Sequence, residues 1–384
     1  MDFIKDFIFI ADDLTGAGDT GVQIRKFFDD VYISTSVRNL KDNMPVIFDT
    51  ESRDMDKDKL NEVLENFSEA FKSKKIVYKK IDSTLRGNVL VELEIVCQKR
   101  NNAPVFFVPA FPEMNRKIEN GILKVNDIAL CETEYVNISK NIPISDNIEN
   151  YCPEGYNYFY VNNADFEFPE NMQNCFFGFE CKDNHDLIRI ANVILKKVKT
   201  TDITIAASAA LSYFILKQAG YREKTDFSPL ISLQTYFICG SLNSINEKLI
   251  KNINIDKIII DNIRFIEDNS YFELKIHEII KKLLFGKNIA VFTERLLNEN
   301  IKHELDQKIV ELFKRTYSLS PRIVLSGGST AYSCIRGIDK YFFKISNIVD
   351  TGIPLINIDD REIIIKPGGF GNNKFFINLV EESK

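Results

Sequence analysis

The segment Phe7–Phe27, FIFIADDLTGAGDTGVQIRKF, runs an apolar stretch into two adjacent acids and then into a loop with three glycines in six positions. Phe7 to Ala11 reads as a short strand covered on both faces. Gly16, Gly18 and Gly21 permit a tight turn and close backbone approach, and Val22, Ile24, Phe27 and Phe28 supply a buried helical stripe. Strand, acidic turn and helix open a doubly wound α/β domain, with the turn at the carboxyl end of the strand, where such folds place ligands. The glycines match the spacing G-x-G-x-x-G, but Asp12, Asp13 and Thr15 separate them from the strand. A dinucleotide pyrophosphate would face carboxylates there rather than bare amides. Asp13 or Thr15 as a helix N-cap, with Asp12 as a turn residue, explains one acid well and two poorly.

Working outward, 384 residues favour two domains, and 45% apolar with 27% charged residues is the balance of a soluble globular chain. A formal charge of −6, with no basic stripe among aromatics, argues against nucleic acid as a partner. Asp2, Lys5 and Asp6 are not the start of a signal peptide, and no segment approaches about 20 uninterrupted apolar residues, so no membrane partner is expected. The seven cysteines contain no C-x-x-C pair, which suits a reduced, cytoplasmic protein. His185, His277 and His303 stand apart from one another and from the cysteines, so a structural zinc is not expected.

Strands are predicted near 7–11, 31–34, 46–49, 76–79, 105–109, 158–161 and 203–206, with helices over 16–28, 57–73, 88–100, 184–198 and 208–219. The stretch from Gly121 to Pro153 breaks this alternation and reads as a hairpin or an excursion over the site. GYREKTDFSPL, from Gly220 to Leu230, is polar and marks a boundary, giving domains 1–228 and 229–384. Beyond it strands are predicted near 236–239, 257–260, 289–292, 322–325 and 363–366, and helices near 243–253, 271–285, 300–317 and 329–341. The expected architecture is two doubly wound, mostly parallel-sheet α/β domains with a cleft between them.

The unusual residues follow the predicted strands. Arg53 stands in DTESRD after 46–49, and KIDSTLRGN after 76–79 carries Lys80, Asp82, Ser83, Thr84, Arg86 and Asn88. PAFPEMNR, after 105–109, ends on Asn115 and Arg116. In a parallel sheet the carboxyl ends share one edge, so these loops should converge. Arginine forks suit a carboxylate or phosphate, and acids and amides suit the hydroxyls of a small polyol. In the second domain Gly240 and Ser241, the loop Gly327, Gly328, Ser329 and Thr330, and Gly368, Gly369 and Gly371 after Lys366 offer amides to phosphate oxygens. The Walker A pattern is absent.

ADDLTGAGD, KKIDSTLRGN, PAFPEMNR, GGSTA and KPGGFG, in that order, resemble the four-carbon acid sugar kinases over nearly the whole chain. The resemblance implies a sugar-acid-binding domain followed by a nucleotide-binding domain, and phosphorylation of a tetronate or 3-oxo-tetronate by ATP with Mg2+. It implies Asp12 or Asp13 as the catalytic acid, with Asp12 preferred as base, and Arg53 on the substrate carboxylate. Lys80, Asp82, Ser83, Thr84, Arg86, Asn88 and Arg116 become substrate-binding. Ser241, Gly327, Gly328, Ser329, Thr330, Gly368, Gly369 and Gly371 become nucleotide-binding. The chain departs from the family pattern at Asn115, where a glycine is usual, at Ser329, where an acid is usual, and after Ser241, where a threonine is missing. A non-catalytic sugar-acid sensor is the alternative. The metal ligands, the hydroxyl phosphorylated and any homo-oligomer are left open.

Overall fold

Every residue of the first strand, β1 (Phe7–Ala11), is buried, as an apolar run flanked by helices on both faces requires. A computed structural model describes the chain apart from residues 1–2, 42, 138–139, 226, 228–229, 241–254, 295–300, 368–376, 378 and 381–384. The chain divides into two compact units, Met1–Thr225 and Asp226–Lys384.

After β1 in the first unit come helix α1 (Leu14–Arg25), β2 (Tyr32–Ser34) and β3 (Val46–Asp49). Next are α2 (Lys57–Glu65), α3 (Ser68–Ser73), β4 (Ile76–Lys80), α4 (Val89–Lys99) and β5 (Val105–Val108). A small antiparallel sheet follows, made of β6 (Arg116–Glu119), β7 (Ile122–Val125) and β8 (Ile128–Ala129). The unit closes with β9 (Asn157–Val161), β10 (Cys175–Phe179), α5 (Asn184–Lys197), β11 (Ile203–Ala207) and α6 (Ala209–Gln218). Its main sheet has the order β2-β3-β1-β4-β11-β5-β10-β9 and is parallel throughout. The carboxyl ends of β1, β3 and β4 are therefore neighbours on one edge.

Three local departures from the sequence reading have physical causes. Helix α1 starts at Leu14, before the expected Gly16, because Asp13 caps it by accepting from the Gly16 amide. The expected helix 57–73 is broken into α2 and α3, where the Asn66 side chain donates back to the Glu62 and Val63 carbonyls. The excursion expected at Gly121–Pro153 begins at Arg116, since Asn115 adopts the left-handed conformation, φ 54°, and reverses the chain.

The second unit holds β12 (Thr235–Cys239), β13 (Asp256–Ile260), α7 (Asn262–Glu267), α8 (Asn269–Leu284), β14 (Ile289–Thr293) and α9 (Lys302–Thr316). It continues with β15 (Arg322–Ser326), α10 (Gly328–Gly337), β16 (Phe342–Asp350), β17 (Ile353–Ile358) and β18 (Arg361–Lys366). The order is β13-β14-β12-β15-β18-β17-β16, parallel from β13 to β18 and antiparallel at β16 and β17. Phe237, Ala290, Val324, Leu355 and Ile364 pack into its core with Leu379. The helix expected at 243–253 lies outside the described residues. Among the described residues no helix is long and apolar enough to cross a membrane.

Candidate active site

The two acids after β1 are both buried, and one arginine holds them. Arg53, in the loop after β3, donates through Nε to Asp12 Oδ2 at 2.8 Å and through Nη2 to Asp12 Oδ1 at 3.2 Å. Its third guanidinium nitrogen, Nη1, lies 2.7 Å from Asp13 Oδ2. Asp13 also accepts from the Gly16 amide at 2.7 Å and the Thr15 hydroxyl at 2.6 Å. Asp13 is thus the helix cap as well as an ion-pair partner, which accounts for both acids of the turn. Burial would raise the Asp12 carboxyl, but the charges of Arg53, Lys79 and Lys80 outweigh it and hold it below the usual range. Burial acts to lower Arg53, and Asp12, Asp13 and Asp82 more than offset that, keeping it protonated.

The KIDSTLRGN loop closes on the same edge. Lys80 ends β4, and its Nζ lies 3.2 Å from where a Cβ on Gly16 would stand, against the first turn of α1. Asp82 accepts from the Thr84 hydroxyl at 2.6 Å and from Arg86 Nε at 2.5 Å, and Arg86, Arg53 and Lys80 hold its carboxyl well below the usual range against burial. Ser83 is buried beside them. Gly87 has φ 98°, and a Cβ there would meet Arg53 Cγ at 3.1 Å and Asp12 Oδ2 at 3.3 Å, so only glycine fits. Asn88 points to the scaffold: its amide donates to the carbonyls of Ser52 at 2.9 Å and Met55 at 2.8 Å. The Asn141 amide adds a bond to the Arg53 carbonyl at 2.9 Å, so the arginine loop is clamped from two sides.

Arg116 opens β6 and is buried, with its guanidinium 6.0 Å from the ring centre of Tyr135; that of Arg86 is 5.5 Å from the same ring. The site also contains groups that the sequence reading did not single out. Lys79, fully buried in β4, pairs with Glu92 of α4 at 2.8 Å, and Glu92 accepts from the Ser52 hydroxyl. Asp49, the last residue of β3, is pushed up to about 8, chiefly by burial, with the charges of Asp13 and Asp12 acting in the same direction. Asp19 of α1 is raised to about 6, again chiefly by burial. A charged residue inside an otherwise apolar strand or helix was the available signal for Lys79 and Glu92. For Asp19 it was an acid on the helix face that begins at Gly16.

In the second unit Gly327 caps α10, with φ 111°, and its amide donates to the Lys366 carbonyl at 3.0 Å. Ser326 and Lys366 are paired in register at the ends of β15 and β18. Burial lowers the Lys366 ammonium to about 8. A Cβ on Gly240 would collide with the Thr330 hydroxyl and lie 2.9 Å from Thr330 Cβ, so the β12 end must be glycine where α10 begins. Gly328 starts α10, Ser329 is exposed and Thr330 is buried. These residues present a helix N-terminus to solvent, with a lysine on the neighbouring strand, a setting suited to phosphate. Ser241, Gly368, Gly369 and Gly371 lie outside the described residues. Among the described residues no group of three His, Cys, Asp or Glu side chains is placed to hold a metal ion, and Asp12 and Asp13 are already taken by Arg53, so these residues do not fit a resident magnesium.

Two family models match the chain: one described as a sugar-binding N-terminal domain over residues 7–155, the other as a nucleotide-binding C-terminal domain over residues 275–376. A curated relative, D-threonate kinase of Salmonella typhimurium (strain LT2), is 33% identical over 147 residues, which are 37% of this chain and 34% of the relative. The match thus spans about a third of that relative's length. Among solved structures, Haemophilus influenzae protein HI1011 superposes with a TM-score of 0.69 at 18% identity, covering 96% of this chain and 98% of that one. A Salmonella typhimurium LT2 protein whose name proposes a tRNA synthase gives 0.74 at 16% identity, covering 97% and 98%. At such identities the two structures bear on the fold alone.

Proposed function

The chain belongs to the four-carbon acid sugar kinase family, and we propose that it transfers a phosphoryl group from ATP to a hydroxyl of a short sugar acid. The observation that carries this reading is the edge of the first sheet. There the loops after β1, β3 and β4 bring Arg53, Lys80 and Arg86 together with Asp12, Asp13 and Asp82, the lysine and the acids buried and the two arginines partly so. Such a mixture suits a small anion that also carries hydroxyls, and the unit containing it is the one that matches the sugar-binding family model. A tetronate or 3-oxo-tetronate has that chemistry.

Phosphoryl transfer asks a protein for positioning and charge neutralisation rather than covalent help. Lys80, Arg86, Arg116 and Arg53 give the pocket a cationic wall for the substrate carboxylate. Asp12, kept ionised by Arg53 and Lys79, orients the acceptor hydroxyl or takes its proton. Thr84 and Asn88 act one step back: the first fixes Asp82, the second fixes the backbone of the Arg53 loop. ATP enters with its magnesium as substrate, and its phosphates meet the Gly327–Thr330 turn at the start of α10, with Lys366 beside it. Mass spectrometry of a tetronate panel incubated with Mg-ATP tests the reading: a phosphorylated acid supports it, and intact acids throughout would oppose it.

A further inference from the structure

Two buried groups of opposite charge in the first unit keep polar atoms without hydrogen-bond partners among the described residues. Asp19 lies one turn beyond Gly16 on α1, on the helix face that meets Lys80. It is 5% exposed, and its Oδ1 bonds to nothing among the described residues. Arg116 is 7% exposed, and its Nε and Nη1 are likewise without hydrogen-bond partners among the described residues. Buried charged groups are normally matched, and leaving one unmatched is costly. The guanidinium is near enough to act on the Asp19 carboxyl electrostatically, yet no ion pair joins them. Asp49 and Glu51 each also keep one unbonded buried oxygen among the described residues, while the groups around Arg53 are matched. Asp12 and Asp13 accept from Arg53, and Arg86 is matched to Asp82.

A buried acceptor and a buried guanidinium, each with unmatched polar atoms and close enough to interact, fit a small ligand that supplies both complements. We propose that Asp19 and Arg116 together read the α-hydroxy-acid end of the substrate. Arg116 takes the carboxylate through its guanidinium, and Asp19 accepts a hydrogen bond from the hydroxyl on the adjacent carbon. This rests on the sugar-acid reading of the unit, and it adds a residue that selects substrate by that one hydroxyl. No bond is made or broken at this end. The phosphoryl acceptor is a hydroxyl elsewhere on the chain of the sugar acid.

The charges facing Asp19 are Lys80, Arg116 and Lys26 as cations and Asp13 as an acid, with the phenol of Tyr78 also within reach. Its carboxyl ionises as pH rises through about 6, and only then becomes the stronger acceptor. The preference for the α-hydroxyl should therefore grow between pH 5 and pH 7.5.

The test is calorimetric titration of the full chain with threonate, erythronate and 3,4-dihydroxybutanoate, which lacks only the hydroxyl next to the carboxylate. At pH 7.5 the better tetronate should bind roughly tenfold tighter or more than the deoxy acid, the size expected of a charge-assisted hydrogen bond, and the ratio should narrow at pH 5. Asp19→Asn should narrow it at pH 7.5 while the deoxy acid keeps its affinity, and Arg116→Lys should weaken all three acids alike. Should the Asn variant fail to fold by circular dichroism, the pH dependence of the wild-type ratio decides. Equal binding of tetronate and deoxy acid at pH 7.5 would overturn the role of Asp19 and leave the sugar-acid reading standing. No binding of any of the three by the wild-type chain would overturn both.

Discussion

Asp12 is buried with both oxygens on the Arg53 fork, so any change there acts on the fold and the chemistry together. Removing one partner of a buried ion pair costs about 3–5 kcal/mol in general. Asp12→Asn keeps the volume and one acceptor, so a milder loss of stability is expected with near-complete loss of turnover. Thermal melting and a kinase assay on the same sample check both, and wild-type turnover in the folded variant would exclude Asp12 as the base. Asp49 gives a pH signature. Its carboxyl is raised to about 8, so the folded state binds the proton more tightly than the unfolded chain does. Its contribution to stability is then fully present at low pH and lost as pH rises from about 4 through 8. Relative to wild type, Asp49→Asn should gain in melting temperature as pH rises across that window. A difference flat with pH would show that Asp49 ionises normally. The sequence made Asp12, Asp13 and Arg53 visible as unusual residues, but not their pairing, because 41 positions separate the arginine from Asp12. The same limit hid Lys79 and Glu92: each looks anomalous alone and is explained only by the other.

At the scale of elements, strand ends were legible because apolar runs stop abruptly on polar loops: β1, β3, β4 and β5 lie where the sequence placed them. Besides β6, which precedes the expected excursion, β10, β16 and β17 escaped notice among the described residues. CFFGF of β10 is five residues with no alternation to separate a buried strand from any other apolar run. In β16, burial is irregular along FFKISNIVD, and its pairing with β17 shifts register twice, so no period of two survives in the sequence. β17 pairs with β16 on one edge and β18 on the other, and in IPLINI a proline and an asparagine interrupt the apolar run that would mark a buried strand. The β12 end and the start of α10 give a prediction of their own. Gly240→Ala drives a methyl group into Thr330, so the turn assigned to phosphate must move. Mg-ATP affinity, measured by calorimetry, should fall at least tenfold, an estimate that assumes the loss of about one charge-assisted contact. Sugar-acid affinity should be unchanged, since Gly240 lies in the other unit. Unaltered ATP affinity would place the nucleotide elsewhere.

At the scale of the whole molecule, a unit matching a sugar-binding model precedes a unit matching a nucleotide-binding model, and each carries polar loops at the carboxyl ends of its parallel strands. Length and alternation were enough to expect two α/β units. The chemistry divided between them came from the loops and from the resemblance they carry. Ser329, exposed in the first turn of α10 where the family usually has an acid, is the feature that keeps a sensor in contention. The most direct measurement incubates the purified chain with Mg-ATP and a panel of tetronates and 3-oxo-tetronates, following ADP and the mass of each acid together. A kinase yields ADP and a phosphorylated acid in equal amounts, only when both substrates are present. Saturable binding of a sugar acid, with no phosphorylated product and no binding of Mg-ATP at millimolar concentration, would contradict the kinase and leave the sensor.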